Sequence, residues 1–447
     1  MRWTSLWASL ALPLAVFAAQ QAPQLDIRYL DEMDAAAEWT SLASDGVSAS
    51  VHGAKGVDGN ALVLEYNLNN TAGYAAATRK LPVTLPDDYE ISFWMRGEAG
   101  RNHFEMKFVD ASGENVWWFR RANFQVSGEW QQIRIKRRQV EFAWGPTSER
   151  TLKSFAGVEF VVAAGQDGGQ GSLWFDRLAI KPVQRPVNVA RPTVSASSQD
   201  PNNVAARALD GHAKTFWQSD ASGNDQTLQV DLQALQEFGG LEIDWAPQLY
   251  AERYSIELSA DGRTWNKVRT IDAGNGGRDS HLLPESEARY IRLTMPKPGR
   301  ALGIAELYVR DLQFGASPNA FIESLAKSAR KGCYPRAYSN EQTYWTIVGV
   351  DGDSEESMLS EDGALEARKG SFSIEPFIRV RDKWLTWADV SIRQSLAENY
   401  LPIPTVEWQH SDVTLSTTAY GIGEPGQAHT AAVYTVRNPT RSRRQYT

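Results

Sequence analysis

Short runs of alternating apolar and polar residues make up most of the chain. Ala61–Tyr66, Tyr89–Met95, Phe104–Val109, Asn115–Arg120, Gln131–Lys136, Gly157–Val162 and Ser172–Ile180 keep the two-residue period of strands with one buried face. Farther on, Leu228, Val230 and Leu232 alternate with Gln229 and Asp231, and Tyr254, Ile256 and Leu258 alternate with Ser255 and Glu257. Gly, Asp and Asn turns separate these runs, and Asp261-Gly262 reads as a hairpin turn because Gly tolerates positive φ. A third set covers Tyr344–Val350, Trp384–Trp387, Tyr400–Val406 and Ala432–Val436.

One stretch departs from the strand period. Phe321, Leu325 and Ala329 recur every four residues, Ser317 caps the stretch, Pro318 suits a first turn and Gly332 stops it, predicting a helix over 317–331. A Pro-bearing joint, Lys181–Pro186 with Pro192 beyond, divides the strand-rich region before it. The predicted fold class is therefore all-β: tandem sandwiches at 25–182 and 187–312, a short helix, and a partial third β domain at 333–447.

Composition narrows the function classes. The 447 residues carry a net charge of −8 and 11% aromatics. That aromatic content excludes a disordered chain, and the acidic balance disfavours nucleic acid as a partner. Sixteen tryptophans and one cysteine are present, so no internal disulfide forms. Cys333 reads as a buried spectator thiol. Met1–Ala19 has a basic start at Arg2, an apolar run Leu6–Phe17 and small residues around Ala18, the pattern of a secretory leader. The expected location is secreted or periplasmic, and no later stretch has the length of a transmembrane segment.

Candidate chemistry sits on strand faces and loops. Phe104, Met106 and Phe108 share one face, leaving Glu105 and Lys107 on the other. Trp117 and Trp118 are adjacent and cannot both enter one core. With Trp117 inward, Trp118 and Arg120 join Glu105 and Lys107. A flat ring flanked by charged hydrogen-bonding groups suits a pyranose, whose C–H face covers the ring. Capping of Trp118 by the linker or a neighbouring domain is the alternative. Arg134, Lys136, Arg137 and Arg138 read as a solvated strand face.

Residues 25–182 resemble jelly-roll carbohydrate-binding modules of the galactose-binding-like superfamily. The stretches that carry this are Tyr29–Asp34 with Glu38-Trp39, Gly56–Tyr66, Phe104–Asp110 and Gly171–Ile180. The resemblance implies a structural calcium between first and last strands, with Asp31 and Asp176 as its carboxylates; two plain surface carboxylates are the alternative.

Residues 187–312 resemble the discoidin, or coagulation factor 5/8 type C, family, which includes family 32 carbohydrate-binding modules. The matching motifs are Ala206–Gly211, Thr215-Phe216-Trp217, Leu228–Leu232, Tyr254–Trp265, Ala288–Leu293 and Ile304–Val309. The resemblance implies an eight-stranded jelly roll with a calcium held by Asp210, Thr215 and Glu306. His212, Gln248, Tyr250, Arg253 and His281 fall in or beside loops; His212, Tyr250 and Arg253 are the ligand-binding candidates. Trp217 and Trp245 read as core.

The third region resembles the start of the β-supersandwich that precedes a helical toroid in several glycoside hydrolases and phosphorylases. Ser371–Pro376, Trp384–Val390 and Ala419–Pro425 carry that resemblance. The acidic run Asp351–Glu356 fails as a calcium-binding EF-hand, with Glu356 where Gly is needed and Asp362 where Glu is expected. No His-Glu-x-x-His, Gly-x-Ser-x-Gly or phosphate-binding Gly loop occurs, and no carboxylate pair can be placed in a cleft, so no catalytic residue is assigned. The expected function is glycan binding, as the non-catalytic N-terminal part of a glycan-processing enzyme with a polysaccharide or glycoconjugate as partner. Adhesion to proteins or lipids through the discoidin-like region is the alternative.

Overall fold

A computed structural model describes residues 27–184, 188–368, 370–440, 442–443 and 445–446. The leader-like segment Met1–Ala19 and part of the Pro-rich joint lie outside these residues. The chain divides into two compact units, Met1–Val187 and Asn188–Thr447.

The first unit is a two-sheet antiparallel sandwich. Its strands are β1 (Arg28–Asp31), β2 (Thr40–Ala43), β3 (Ser48–Lys55), β4 (Asn60–Asn67), β5 (Tyr74–Thr84), β6 (Tyr89–Glu98), β7 (Asn102–Val109), β8 (Val116–Phe124), β9 (Gln131–Lys136), β10 (Glu141–Trp144), β11 (Ser154–Ala163) and β12 (Gln170–Pro182). One sheet runs β3-β4-β12-β6-β9 with β1 also beside β12; the other runs β10-β8-β7-β11-β5-β2. The seven alternating runs read from the sequence lie in strands, except that Asn115 falls just before β8. Their apolar faces meet between the sheets, where Phe160 stacks on Phe175 with centroids 4.2 Å apart and Trp39 and Phe93 close around them. Burial of these aromatic faces is the main favourable term for the unit.

The second unit begins with β13 (Thr193–Ala196), β14 (Trp217–Gln218), β15 (Gln226–Trp245), β16 (Tyr254–Ser259), β17 (Asn266–Ile271), β18 (Arg278–Met295) and β19 (Gly303–Arg310), in the order β14-β19-β15-β18-β16-β17 with β13 also on β15. Seven strands replace the eight implied by resemblance, because two of them are long. Register breaks between Asp231 and Gln236 and between Phe238 and Gly240 bend β15 and β18, so each pairs along two directions. The bent sheet encloses Trp217, Leu241, Ile243, Tyr254, Ile291 and Leu293. Trp217 and Trp245 are buried, as the sequence implies.

Helix α1 (Pro318–Ser328) follows, with Ser317 Oγ accepting from the Ala320 N–H at 3.0 Å. It ends sooner than 317–331. Ala329 is already extended, and Arg330 turns out to pair bidentately with Asp389 at 2.9 Å. Cys333 is exposed, not buried, because this early exit carries it to the mouth of an open cavity lined by Arg330, Phe377, Trp384 and Leu385. The last region is β-rich as expected. A sheet of Ser391–Ala397, Leu401–Gln409, Thr414–Ile422 and His429–Arg437 packs Val406, Trp408 and Leu415 with Val348 and Leu359 from preceding short strands and Trp387 from a 3-10 turn. Asp362, at the failed EF-hand position, is buried and held bidentately by Arg336 at 2.9 and 2.7 Å.

Candidate functional site

Strands β7 and β8 pair so that Glu105 faces Arg120 and Lys107 faces Trp118. The alternation thus delivers all four sequence candidates to the outer face of one sheet. Trp117 takes the inner face, buried, with its indole N–H donating to the Arg150 carbonyl at 3.0 Å. Glu105 is buried by its neighbours and forms ion pairs with Arg120 at 3.2 Å and Lys107 at 3.4 Å. Arg120 lies 5.6 Å from the Trp118 ring centre.

Sequence reasoning missed one member of this face. Trp144 on edge strand β10 pairs with Val116 after a register shift past Phe142. The shift turns Trp144 outward, where it meets Trp118 edge to face at 5.7 Å and stays 46% exposed. Lys107 Nζ is 5.3 Å from the Trp144 ring and 5.2 Å from the Tyr74 ring. Glu159, opposite Lys107 on β11, has its carboxyl raised by burial, with Lys107 opposing the shift. Lys107 and Arg120 stand against Glu105 and Glu159 on this face, and the exposed Glu141, opposite Trp118 on β10, adds a third carboxylate. A two-residue alternation cannot show the Trp144 side, because the bulge changes its parity.

The two carboxylates implied for the first calcium have different surroundings. Asp31 accepts from the Met33 N–H at 2.8 Å and the Trp39 indole at 2.9 Å, and is ion-paired to Arg79. Its charge is already matched. Asp176 lies at the seam where β12 leaves β4 and joins β1; Phe175 pairs with Leu62, and Leu178 with Asp31. Arg177, with φ of 54°, forms the bulge there. Asp176 is fully buried; Oδ2 accepts from the N–H groups of Val57 at 2.7 Å and Asp58 at 3.3 Å, while Oδ1 has no protein partner. Burial raises this carboxyl above its usual range. Gly56 permits the wrap, since a Cβ there would fall 2.5 Å from Asp176 Oδ2. The orphaned buried oxygen of Asp176 fits a hard cation, and the neutralised Asp31 does not.

In the second unit the three implied ligands come together. Thr215 Oγ1 donates to Asp210 at 2.7 Å, the His212 N–H donates to Asp210 Oδ1 at 2.9 Å, and the Gly211 N–H donates to Glu306 Oε2 at 2.9 Å. Glu306 is buried, and its carboxyl is raised by burial and by repulsion from Asp210 and Asp244. Among the described residues no group of three or more His, Cys, Asp or Glu side chains gathers as a metal site. A cation here would need Thr215 and backbone carbonyls beside the two carboxylates, a donor set that suits calcium.

The loop candidates split. Tyr250 and Arg253 line one pocket with Lys297 and Arg300. His212 stands apart from that pocket, close enough to Asp210 and Glu306 to affect both carboxyls. Gln248 takes a left-handed backbone, φ 63°. His281 is buried, its ring 2.8 Å from the Tyr254 hydroxyl, which also donates to Asp279 at 2.6 Å. Burial lowers this imidazole to about 4.

Residues 193–307 match the family model of the F5/8 type C domain. This segment is an F5/8 type C domain. A search of curated proteins gives no match. Among solved structures, chitosan-binding module 1 of a chitosanase/glucanase from Paenibacillus sp. IK-5 is similar at 28% identity, covering 27% of this chain and 94% of that one, TM-score 0.25. The family 32 module of NanJ from C. perfringens, in complex with galactose, is 23% identical, covering 26% and 92%, TM-score 0.25. The family 11 carbohydrate-binding module from Clostridium thermocellum, with a mixed-linked tetrasaccharide, is 19% identical, covering 36% and 98%, TM-score 0.31. No helix among the described residues is long and apolar enough to cross a membrane.

Proposed function

We propose that this chain binds polysaccharide or glycoconjugate glycans, with a principal site on the outer face of β7, β8 and β10. The observation that carries this reading is the Trp118–Trp144 pair, two partly exposed indoles at right angles beside an ion-paired Glu105, Lys107 and Arg120. Indole faces take the C–H faces of sugar rings, and the charged groups meet hydroxyls. Because Glu105 already holds both cations, little side-chain freedom is lost on binding. With Glu141 opposite Trp118 the face carries no excess of cations, which favours a neutral glycan there over an acidic one.

The F5/8 type C domain supplies a second site through its loops, with Tyr250 and Arg253 as contacts. Two weak sites on one chain raise avidity for any polymer that reaches both. Calcium is proposed as a structural ion at Asp210, Thr215 and Glu306 and at Asp176. The leader-like Met1–Ala19 supports a secreted or periplasmic location. The β-rich region beyond residue 333, by its resemblance to a supersandwich, supports a role beside a glycan-processing enzyme. Adhesion to proteins or lipids through the F5/8 type C domain is the competing reading.

Affinity electrophoresis of the full chain through gels containing neutral β-glucans and galactans tests the principal site. Retardation that Trp118→Ala removes supports it. Retardation unchanged by Trp118→Ala, or absent with every glycan, overturns it.

A further inference from the structure

We infer that the loop pocket of the F5/8 type C domain takes a saccharide bearing an anionic exocyclic group, a carboxylate or a sulfate. This inference rests on the glycan-binding reading and names the class of ligand for its second site.

The pocket is small and basic. It encloses about 100 Å³ between residues 250–253 and 296–302. One water's share of liquid volume is about 30 Å³, so the hollow matches an exocyclic substituent of a few heavy atoms, with the sugar ring that carries it at the open side. Three cations, Arg253, Lys297 and Arg300, face one carboxylate, Glu252. Arg300 is committed: it pairs with Glu252 at 3.5 Å, donates to the Tyr250 carbonyl at 3.1 Å and lies 5.2 Å from the Tyr250 ring centre. Arg253 and Lys297 have no acidic partner among the described residues. Two uncommitted cations beside an anion-sized hollow are complementary to a negative group.

The pocket is also held rigidly. Lys297 sits between Pro296 and Pro298 with φ of 37°, and its N–H donates to Asp225 at 3.1 Å. The Tyr250 ring rests on Gly276, where an added Cβ would fall 2.7 Å from the ring. Tyr250 therefore offers a fixed aromatic surface at the rim, against which the ring carrying the anion can pack.

An anionic membrane would meet the same cations, but surface binding also draws on apolar side chains entering the lipid. The exposed large hydrophobic residues of this domain and its entry segment are Val189 and Leu235, neither in the pocket loops. A glycan fits the pocket; a lipid surface lacks its anchor.

The test measures binding of the full chain to polygalacturonate, a sulfated galactan, neutral galactan and phosphatidylserine vesicles. Acidic polymers are expected to bind at least tenfold more tightly than neutral galactan at low salt, with the preference shrinking as salt rises. The double variant Arg253→Gln/Lys297→Gln is expected to lose at least tenfold in acidic-polymer affinity, and Lys297→Gln alone to lose part of it. The better of the two acidic polymers identifies the anion. Equal affinity of wild type and double variant for the acidic polymers overturns the inference, as does binding to vesicles with no acidic-polymer preference. If neutral glycan still binds in a Trp118-dependent way, only this inference falls; if no glycan binds at all, the glycan-binding reading itself falls.

Discussion

Trp118 and Trp144 meet edge to face, with ring centroids 5.7 Å apart and planes at 89°. They come from strands paired out of simple alternation, and neither ring enters the core. The arrangement makes a right-angled corner in which one indole supports the other. If both rings contact one ligand, their effects on affinity are coupled. Trp118→Ala and Trp144→Ala should each weaken glycan binding by about 1–2 kcal/mol, and the double variant should lose less than the sum. Calorimetric titration of the four proteins checks this; strictly additive losses would mean that the rings act separately.

Asp176 gives a prediction of the opposite sign in stability. Its Oδ1 is buried without a partner, so in the absence of cation an ionised Asp176 penalises folding. Asp176→Asn keeps an oxygen for the Val57 and Asp58 N–H groups while removing the charge. The variant should melt at a higher temperature than wild type in chelator, by an amount corresponding to about 1 kcal/mol. It should also lose any rise that calcium produces in the first unit. Melting curves with and without calcium, followed in the isolated 27–184 region and in the full chain, read both effects.

Glu306 joins the last strand of the F5/8 type C domain to the Gly211 turn through one hydrogen bond of 2.9 Å. Glu306→Ala leaves that N–H without its acceptor and Asp210 without its neighbour. A loss of about 1–3 kcal/mol is expected. Where calcium stabilises the wild-type domain, the variant should respond to calcium weakly or not at all. Denaturant unfolding at fixed calcium and in chelator measures the difference.

His281 makes the same domain acid-sensitive. Its neighbours are Tyr254, Asp279 and Arg269, and burial holds the imidazole at about 4, against an ordinary 6.5. A lowered histidine contributes full stability above the unfolded value, and that contribution is lost as pH falls from 6.5 through 4. The gap corresponds to about 3 kcal/mol at most. His281→Gln should flatten the pH dependence of the domain's melting temperature over this window. An unchanged slope would show that other groups carry it.

The sequence and the structure agree where burial follows a simple period. The faces of β7 and β8, the inward Trp117 and the outward Trp118 were legible because Phe104, Met106 and Phe108 fix the parity of that sheet. The F5/8 type C motifs were legible in order, and Asp210, Thr215 and Glu306 do converge. Long-range pairing and local irregularity were not. Trp144 depends on a one-residue shift in β10, and the orphaned oxygen of Asp176 depends on the bulge at Arg177. Asp31 was placed beside a cation by resemblance, whereas Arg79 supplies its counter-charge from a strand 48 residues away. The early end of α1 was hidden because Ala329 fits a helical face, and only the pairing of Arg330 with Asp389 draws the chain away. Cys333 is exposed for the same reason.

β15 is bordered by β18 on one side and by both β13 and β19 on the other. The domain's first and last strands therefore close on the same central strand. During synthesis, Thr193–Ala196 can pair as soon as Leu228–Asp231 emerge, but the edge at Gly240–Trp245 stays open until Gly303–Arg310 arrive. That interval leaves a long apolar strand available to the wrong partner, and it ends only with the segment that also carries Glu306. A nascent chain exposed only as far as residue 300 would hold a nearly complete sandwich that cannot yet shut, and the strand that shuts it brings Glu306 against the Gly211 turn in the same step.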